Sequence, residues 1–81
     1  MTRPKQLARP LPADVELAPD RVPARVSGKQ VDSVLEEWVV EDRWWTERPT
    51  RRRYFELAMR DGSCIVVFRD LTGSGWFIQR A

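Results

Sequence analysis

The clearest pattern of apolar and polar positions lies between Arg52 and Arg69. There, two alternating runs flank Asp61-Gly62. Alternation with period two is the mark of a half-buried strand, and Asp-Gly is a preferred pair for a two-residue type I′ hairpin turn. Centring the turn on that pair sets Arg60 opposite Ser63, Met59 opposite Cys64, Leu57 opposite Val66 and Phe55 opposite Phe68. The last three pairs are apolar, so this register predicts a core of Phe55, Leu57, Met59, Cys64, Val66 and Phe68. Cys64 then reads as a small buried hydrophobe. A second turn over residues 70–75 leads to Trp76-Phe77-Ile78-Gln79, which completes a three-stranded meander of Tyr54–Met59, Cys64–Arg69 and Gly75–Gln79.

Upstream, Val22, Ala24 and Val26 alternate ahead of Ser27-Gly28-Lys29, predicting a strand, a tight turn and another strand. The next segment, residues 30–41, carries two signals. Val31, Val34, Leu35 and Trp38 recur at helical spacing, yet no convincing cap precedes Val31, and Val31, Val34, Val39 and Val40 are β-branched. A long bent strand with one bulge near Ser33-Val34 accounts for both, with a helix as the alternative. Residues 41–50 read as a loop in which one of Trp44 and Trp45 plugs the core and the other lies at the rim. Pro4, Pro10, Pro12 and Pro19 make residues 1–20 an extended, flexible arm, mobile as far as about Pro12. The expected fold is therefore all-β: a small curled antiparallel sheet or partly open barrel of five to six strands over residues 21–81, with an extended N-terminal arm.

Length narrows the picture. With 81 residues the chain has one domain and a modest core. One cysteine excludes an internal disulfide, and one cysteine with no histidine argues against a zinc site. The unpaired thiol, the lack of a long apolar run and the absence of an apolar stretch in residues 1–12 lead to the expectation of a soluble, cytoplasmic protein that does not engage a membrane. The net charge is +2, and its distribution is uneven. Residues 1–30 hold six Lys/Arg against three Asp/Glu, whereas residues 31–81 hold eight against nine.

No catalytic constellation emerges. Ser27, Ser33, Ser63 and Ser74 lack a histidine to activate them. The carboxylates Glu36, Glu37, Glu41, Asp42 and Glu47 read as solvated, not as a buried acid–base pair. Gly73-Ser74-Gly75 lacks the lysine ending and following helix of a phosphate loop. The expectation is a non-enzymatic protein without metal or cofactor. What stands out is a basic and aromatic stretch: Trp44, Trp45, Arg48, Arg51, Arg52, Arg53 and Tyr54. Trp, Tyr and Arg dominate protein–protein hot spots, and the same residues can stack on and neutralise single-stranded nucleic acid. The nearby acids tilt the expectation toward a protein partner, with single-stranded DNA as the alternative.

Val34-Leu35, Trp38, Trp44-Trp45, Arg53-Tyr54, Gly62, Arg69-Asp70, Trp76 and Gln79-Arg80 together resemble a small bacterial domain of unknown function from actinobacteria and some deinococci. The resemblance covers about residues 22–81. Members of that family resemble, or lie fused or near to, the inactive Y-family polymerase-like proteins of the mutagenic translesion-repair cassette. The resemblance implies an accessory in DNA-damage tolerance that acts by contacts and not by catalysis, with a translesion polymerase-like protein as partner.

Overall fold

In the computed structural model, residues 10–42 and 50–79 are described. They form seven strands: β1 (Leu11–Ala13), β2 (Val15–Leu17), β3 (Pro23–Val26), β4 (Lys29–Asp42), β5 (Thr50–Met59), β6 (Cys64–Asp70) and β7 (Trp76–Gln79). The sheet order is β1-β7-β6-β5-β4-β3-β2, and every pairing is antiparallel. The two edge strands, β1 and β2, follow one another in sequence and are separated only by Asp14. One kinked segment therefore pairs with β7 at one edge and β3 at the other, curling the sheet into a nearly closed barrel. The Ser27 amide donates to the Asp14 carbonyl at 2.7 Å, which ties the kink to the β3–β4 turn.

The expected all-β class and antiparallel curl are present. The arm is not as expected over residues 11–17. Pro10 and Pro12 flank or occupy an edge, where a missing amide costs no central ladder bond, and Pro12 sits opposite Phe77 in β7. Among the described residues no helix is long and apolar enough to cross a membrane.

The turns decide the faces. Ser27 and Gly28 both have positive φ, 49° and 82°, as a two-residue type I′ turn requires, and Val26 pairs with Lys29 across them. The Asp61-Gly62 hairpin is different. Met59 N donates to the Ser63 carbonyl at 2.8 Å, and Gly62 N donates to the Met59 carbonyl at 3.0 Å. Only Gly62 of the pair has positive φ, 92°. This is a three-residue loop, Arg60-Asp61-Gly62, closed by a glycine bulge. Asp61 Oδ1 accepts from the Ser63 amide at 2.9 Å and the Ser63 hydroxyl at 2.6 Å, which holds the loop in that form.

The extra loop residue moves β6 by one position relative to the expected register. Ala58 faces Cys64, Leu57 faces Ile65, Phe55 faces Val67 and Tyr54 faces Phe68. A shift of one residue exchanges the faces of a strand. The expected core is thus correct on β5, where Phe55, Leu57 and Met59 are buried, and on β6 it is wrong for Cys64 and Val66, while Phe68 is buried as expected but on the other face. Val67 enters the barrel, Cys64 is exposed, Val66 is half-buried, and Phe68 is buried from the opposite side of the sheet.

The core consists of Val26, Phe55, Leu57, Met59 and Val67, surrounded by Ala13, Val15, Val22, Val31, Val34, Ile65, Trp76 and Ile78. Phe55 and Trp76 touch within it, with ring centroids 5.6 Å apart. The segment with two signals is a strand, β4, fourteen residues long. Its register against β5 shifts twice, between Val31 and Ser33 and between Val34 and Glu36. There are two bulges where one was expected; the first puts Val31 and Val34 on the core side at a spacing of three, and the second puts Glu37 on that side three residues after Val34. Strand residues separated by a bulge thereby mimic helical periodicity. Leu35 and Trp38, which a helix would have placed with them, are exposed.

Candidate interaction surface

Beyond the second bulge, β4 and β5 run in unbroken register from Glu36↔Glu56 to Asp42↔Thr50. Successive side chains on β5 alternate between faces. Arg51, Arg52 and Arg53 therefore cannot form one cationic patch. Arg51 and Arg53 share the side of Phe55, beyond the end of the core. Arg51 Nε lies 2.9 Å from Glu41 Oε2, and Arg53 Nε lies 2.8 Å from Glu37 Oε2. Both pairs are substantially exposed, so they contribute little to stability, but each carboxylate offsets the charge of its arginine.

Arg52 lies on the outer face with Tyr54. Its guanidinium carbon sits 4.5 Å from the Phe68 ring centre, and Nη1 donates to the Tyr54 hydroxyl at 3.4 Å. Arg52 Nε is buried without a hydrogen-bond partner among the described residues. The stacked guanidinium keeps its attraction to the ring while its stem covers apolar surface.

Tyr54 and Arg52 belong to a larger feature of the outer face. Register places Trp38 on β4, Tyr54 on β5, Phe68 on β6 and Phe77 on β7 in one row across the sheet, with Pro12 on β1 at its end. Trp38 and Tyr54 stack in parallel, 5.3 Å between centroids and 4° between planes. Tyr54 and Phe68 are tilted at 5.1 Å, and Phe68 and Phe77 are stacked at 5.2 Å. Cross-strand aromatic pairs of this kind each add about 0.5–1.5 kcal/mol beyond the area they bury. Burial falls along the row, from Phe68 at 2% exposure to Trp38 at 36%. At the Phe77 end, Pro10, Arg52, Phe68, Asp70 and Phe77 line a shallow pocket of about 210 Å³.

Asp70 anchors the turn beside that pocket. Its Oδ1 accepts from the Thr72 hydroxyl at 2.9 Å and from the Thr72 and Gly73 amides at 3.0 Å each. The Thr72 hydroxyl is the main reason its carboxyl titrates below the ordinary value. Partial burial opposes that effect, while the two amides and the charge of Arg52 reinforce it. A side chain at position 73 would press on this carboxylate, since a Cβ there would lie 3.1 Å from Asp70 Oδ2.

Of the expected site residues, Arg51, Arg52, Arg53 and Tyr54 are on adjacent strand positions, split between two faces. Trp44, Trp45 and Arg48 lie outside the described residues. Trp38, Phe68 and Phe77 were not among the expected site residues. Their alignment follows from the three-residue loop, because the expected register had set Tyr54 against Arg69. Comparison of the chain with protein-family models, with curated proteins and with solved structures finds no match.

Proposed function

We propose that this domain is a non-catalytic interaction module that binds a protein partner through the Trp38 end of the outer aromatic row. The supporting observation is the arrangement of that row. Its rings turn their faces toward one another, and only Trp38, at the end, is both large and well exposed. Val40, also exposed, lies two positions along on the same face of β4. A partly exposed tryptophan backed by a packed row is a rigid anchor of the type that dominates protein interfaces. Trp44, Trp45 and Arg48 extend the same reading in sequence. Within it, the resemblance noted above suggests an accessory role in DNA-damage tolerance, with a translesion polymerase-like protein as the partner.

Single-stranded DNA is the less favoured occupant for two physical reasons. Bases need free ring faces, and here the rings mostly stack on one another. Phosphates need uncompensated cations, and Arg51 and Arg53 already contact carboxylates. Capture of partners from DNA-damaged cells by the full chain, with and without nuclease, tests the proposal. A captured protein should survive nuclease and moderate salt, and should be lost with Trp38→Ala. Nuclease-sensitive capture, or oligothymidylate binding that weakens steeply with salt, would replace the protein reading with the nucleic-acid one.

A further inference from the structure

We infer that the open edge of β4 between Glu36 and Glu41 accepts a β-strand from the partner, an extended segment with an apolar centre and Lys or Arg on its flanks. This rests on the reading of the domain as a protein-binding module and specifies how binding occurs.

The edge is open because β3 pairs with β4 only through Lys29 and Gln30. Among the described residues no strand pairs with that side of β4 beyond them. A regular strand with one unpaired edge offers a row of backbone donors and acceptors to any extended chain. Proteins commonly blunt such edges with lysine, proline or bulges. Between Val31 and Asp42 there is neither lysine nor proline. Both bulges precede Glu36, and from there the strand is regular through Asp42. That stretch is about as long as an ordinary strand. It is also apolar at its centre, with Trp38, Val39 and Val40 at 36%, 48% and 38% exposure. An added strand would place alternate residues beside Trp38 and Val40 on the outer face and beside Val39 on the other.

Charge selects the occupant. β4 carries five carboxylates, at positions 32, 36, 37, 41 and 42, and one lysine. Glu37 and Glu41 are met by Arg53 and Arg51, whereas Asp32 and Glu36 have no ion-pair partner among the described residues. A second copy of this chain fits poorly. The antiparallel register that best overlaps Trp38-Val39-Val40 with itself is centred on Val39, and it sets Glu36 opposite Asp42 twice, whereas Glu37 and Glu41, opposite one another, keep their arginines. Like charges directly opposite one another destabilise a strand pair. A strand with basic flanks turns the same positions into attractions.

The test selects peptides against the full chain from a displayed library of random linear peptides, then measures amide hydrogen exchange with and without the selected peptides. Enriched peptides should show an apolar, proline-free centre with basic flanks, and they should slow exchange in the β4 segment spanning Glu36–Glu41. Glu36→Lys should weaken their binding about three- to tenfold, the effect of turning one cross-strand attraction into a repulsion. Glu36 is exposed and has no ion-pair partner among the described residues, so this variant should fold normally, and its own thermal unfolding checks that it does. Peptides that bind without protecting β4, or that are proline-rich, overturn strand addition and leave the protein-binding reading standing. Protection of β4 by self-association of the chain overturns it in favour of a second copy, and protection by oligothymidylate overturns both readings. Failure to enrich any peptide also counts against strand addition, and the nuclease-resistant capture described above then decides the broader reading independently.

Discussion

The inner and outer faces of the β4–β7 sheet bury their side chains by different means. Inside, side chains from all seven strands converge across the barrel, so that Leu57 and Val67 are fully enclosed. Outside, shelter comes from the neighbours within the row, with Arg52 and Pro10 beside Phe68 and Phe77. Phe68 reaches the burial of a core residue because Tyr54, Phe77 and Arg52 surround it, while Trp38, with one ring neighbour among the described residues, does not. The contrast teaches that an aromatic row on an open face is structural in its middle and available at its end. The edge of β4 with which no described strand pairs beyond Gln30 lies at that same end.

The largest expected effect sharpens the difference on β6. Leu57→Ala should cost about 2–5 kcal/mol in denaturant unfolding, since it opens a cavity in a closed space. Val67→Ala should cost clearly more than Val66→Ala, because Val67 is fully buried and Val66 only half so. Equal costs for the two valines would erase the distinction between the faces, and a larger cost at Val66 would restore the register that a two-residue turn would have imposed.

A smaller stability effect separates the middle of the row from its end. Phe68→Ala should approach the cost of a core phenylalanine, about 3–5 kcal/mol. Trp38→Ala should cost about 1 kcal/mol, close to the worth of one stacked pair, while abolishing partner capture. A Trp38 variant as unstable as the Phe68 variant would make the whole row structural.

Acid should act on the turn beside the row. Asp70 and Asp61 both titrate below the ordinary carboxylate value in the folded chain, chiefly through hydrogen bonds from Thr72 and Ser63 respectively. A carboxyl whose folded pKa is depressed stabilises the fold above its unfolded value, near 3.9, and that contribution is lost as pH falls through the folded value. The thermal midpoint should therefore drop below about pH 4, and Asp70→Asn, which keeps an oxygen to accept the turn's hydrogen bonds, should flatten the drop. An unchanged acid profile would show that Asp70 titrates alike in the folded and unfolded chains.

The smallest effect belongs to the ion pairs across β4 and β5. Arg53→Ala should change stability by about 0–1 kcal/mol, and less at high salt. Its effect on binding sharpens the account of the patch. An arginine already paired with Glu37 should matter much less to partner capture than Trp38.

Much of this architecture is local and could be read along the chain. Alternation in Phe55, Leu57 and Met59 identified one face of β5 because side-chain direction along a strand depends only on its own pleat. Ser27-Gly28 announced a tight turn, and β-branching in Val31, Val34, Val39 and Val40 favoured a strand over a helix for β4. The alternate faces of Arg51, Arg52 and Arg53 follow from the same pleat, although their adjacency in sequence suggested a single patch. What relates one strand to another was less accessible. Asp-Gly serves both a two-residue and a three-residue hairpin, and the choice rests on whether the aspartate adopts positive φ. Here its hydrogen bonds to Ser63 hold the three-residue form, and the packing of Ile65 and Val67 against Leu57 and Phe55 suits the register that results. That single residue of register decided that Cys64 faces out and that Phe68 joins Tyr54. The pairing of β1 with β7 and of β2 with β3 brings together segments as distant as Pro12 and Phe77. Local propensity carries no information about such a meeting, so the proline-rich segment read as a free arm. Only closure of the barrel, which buries Ala13 and Val15 against a core assembled from the rest of the chain, gave residues 11–17 a place in the sheet.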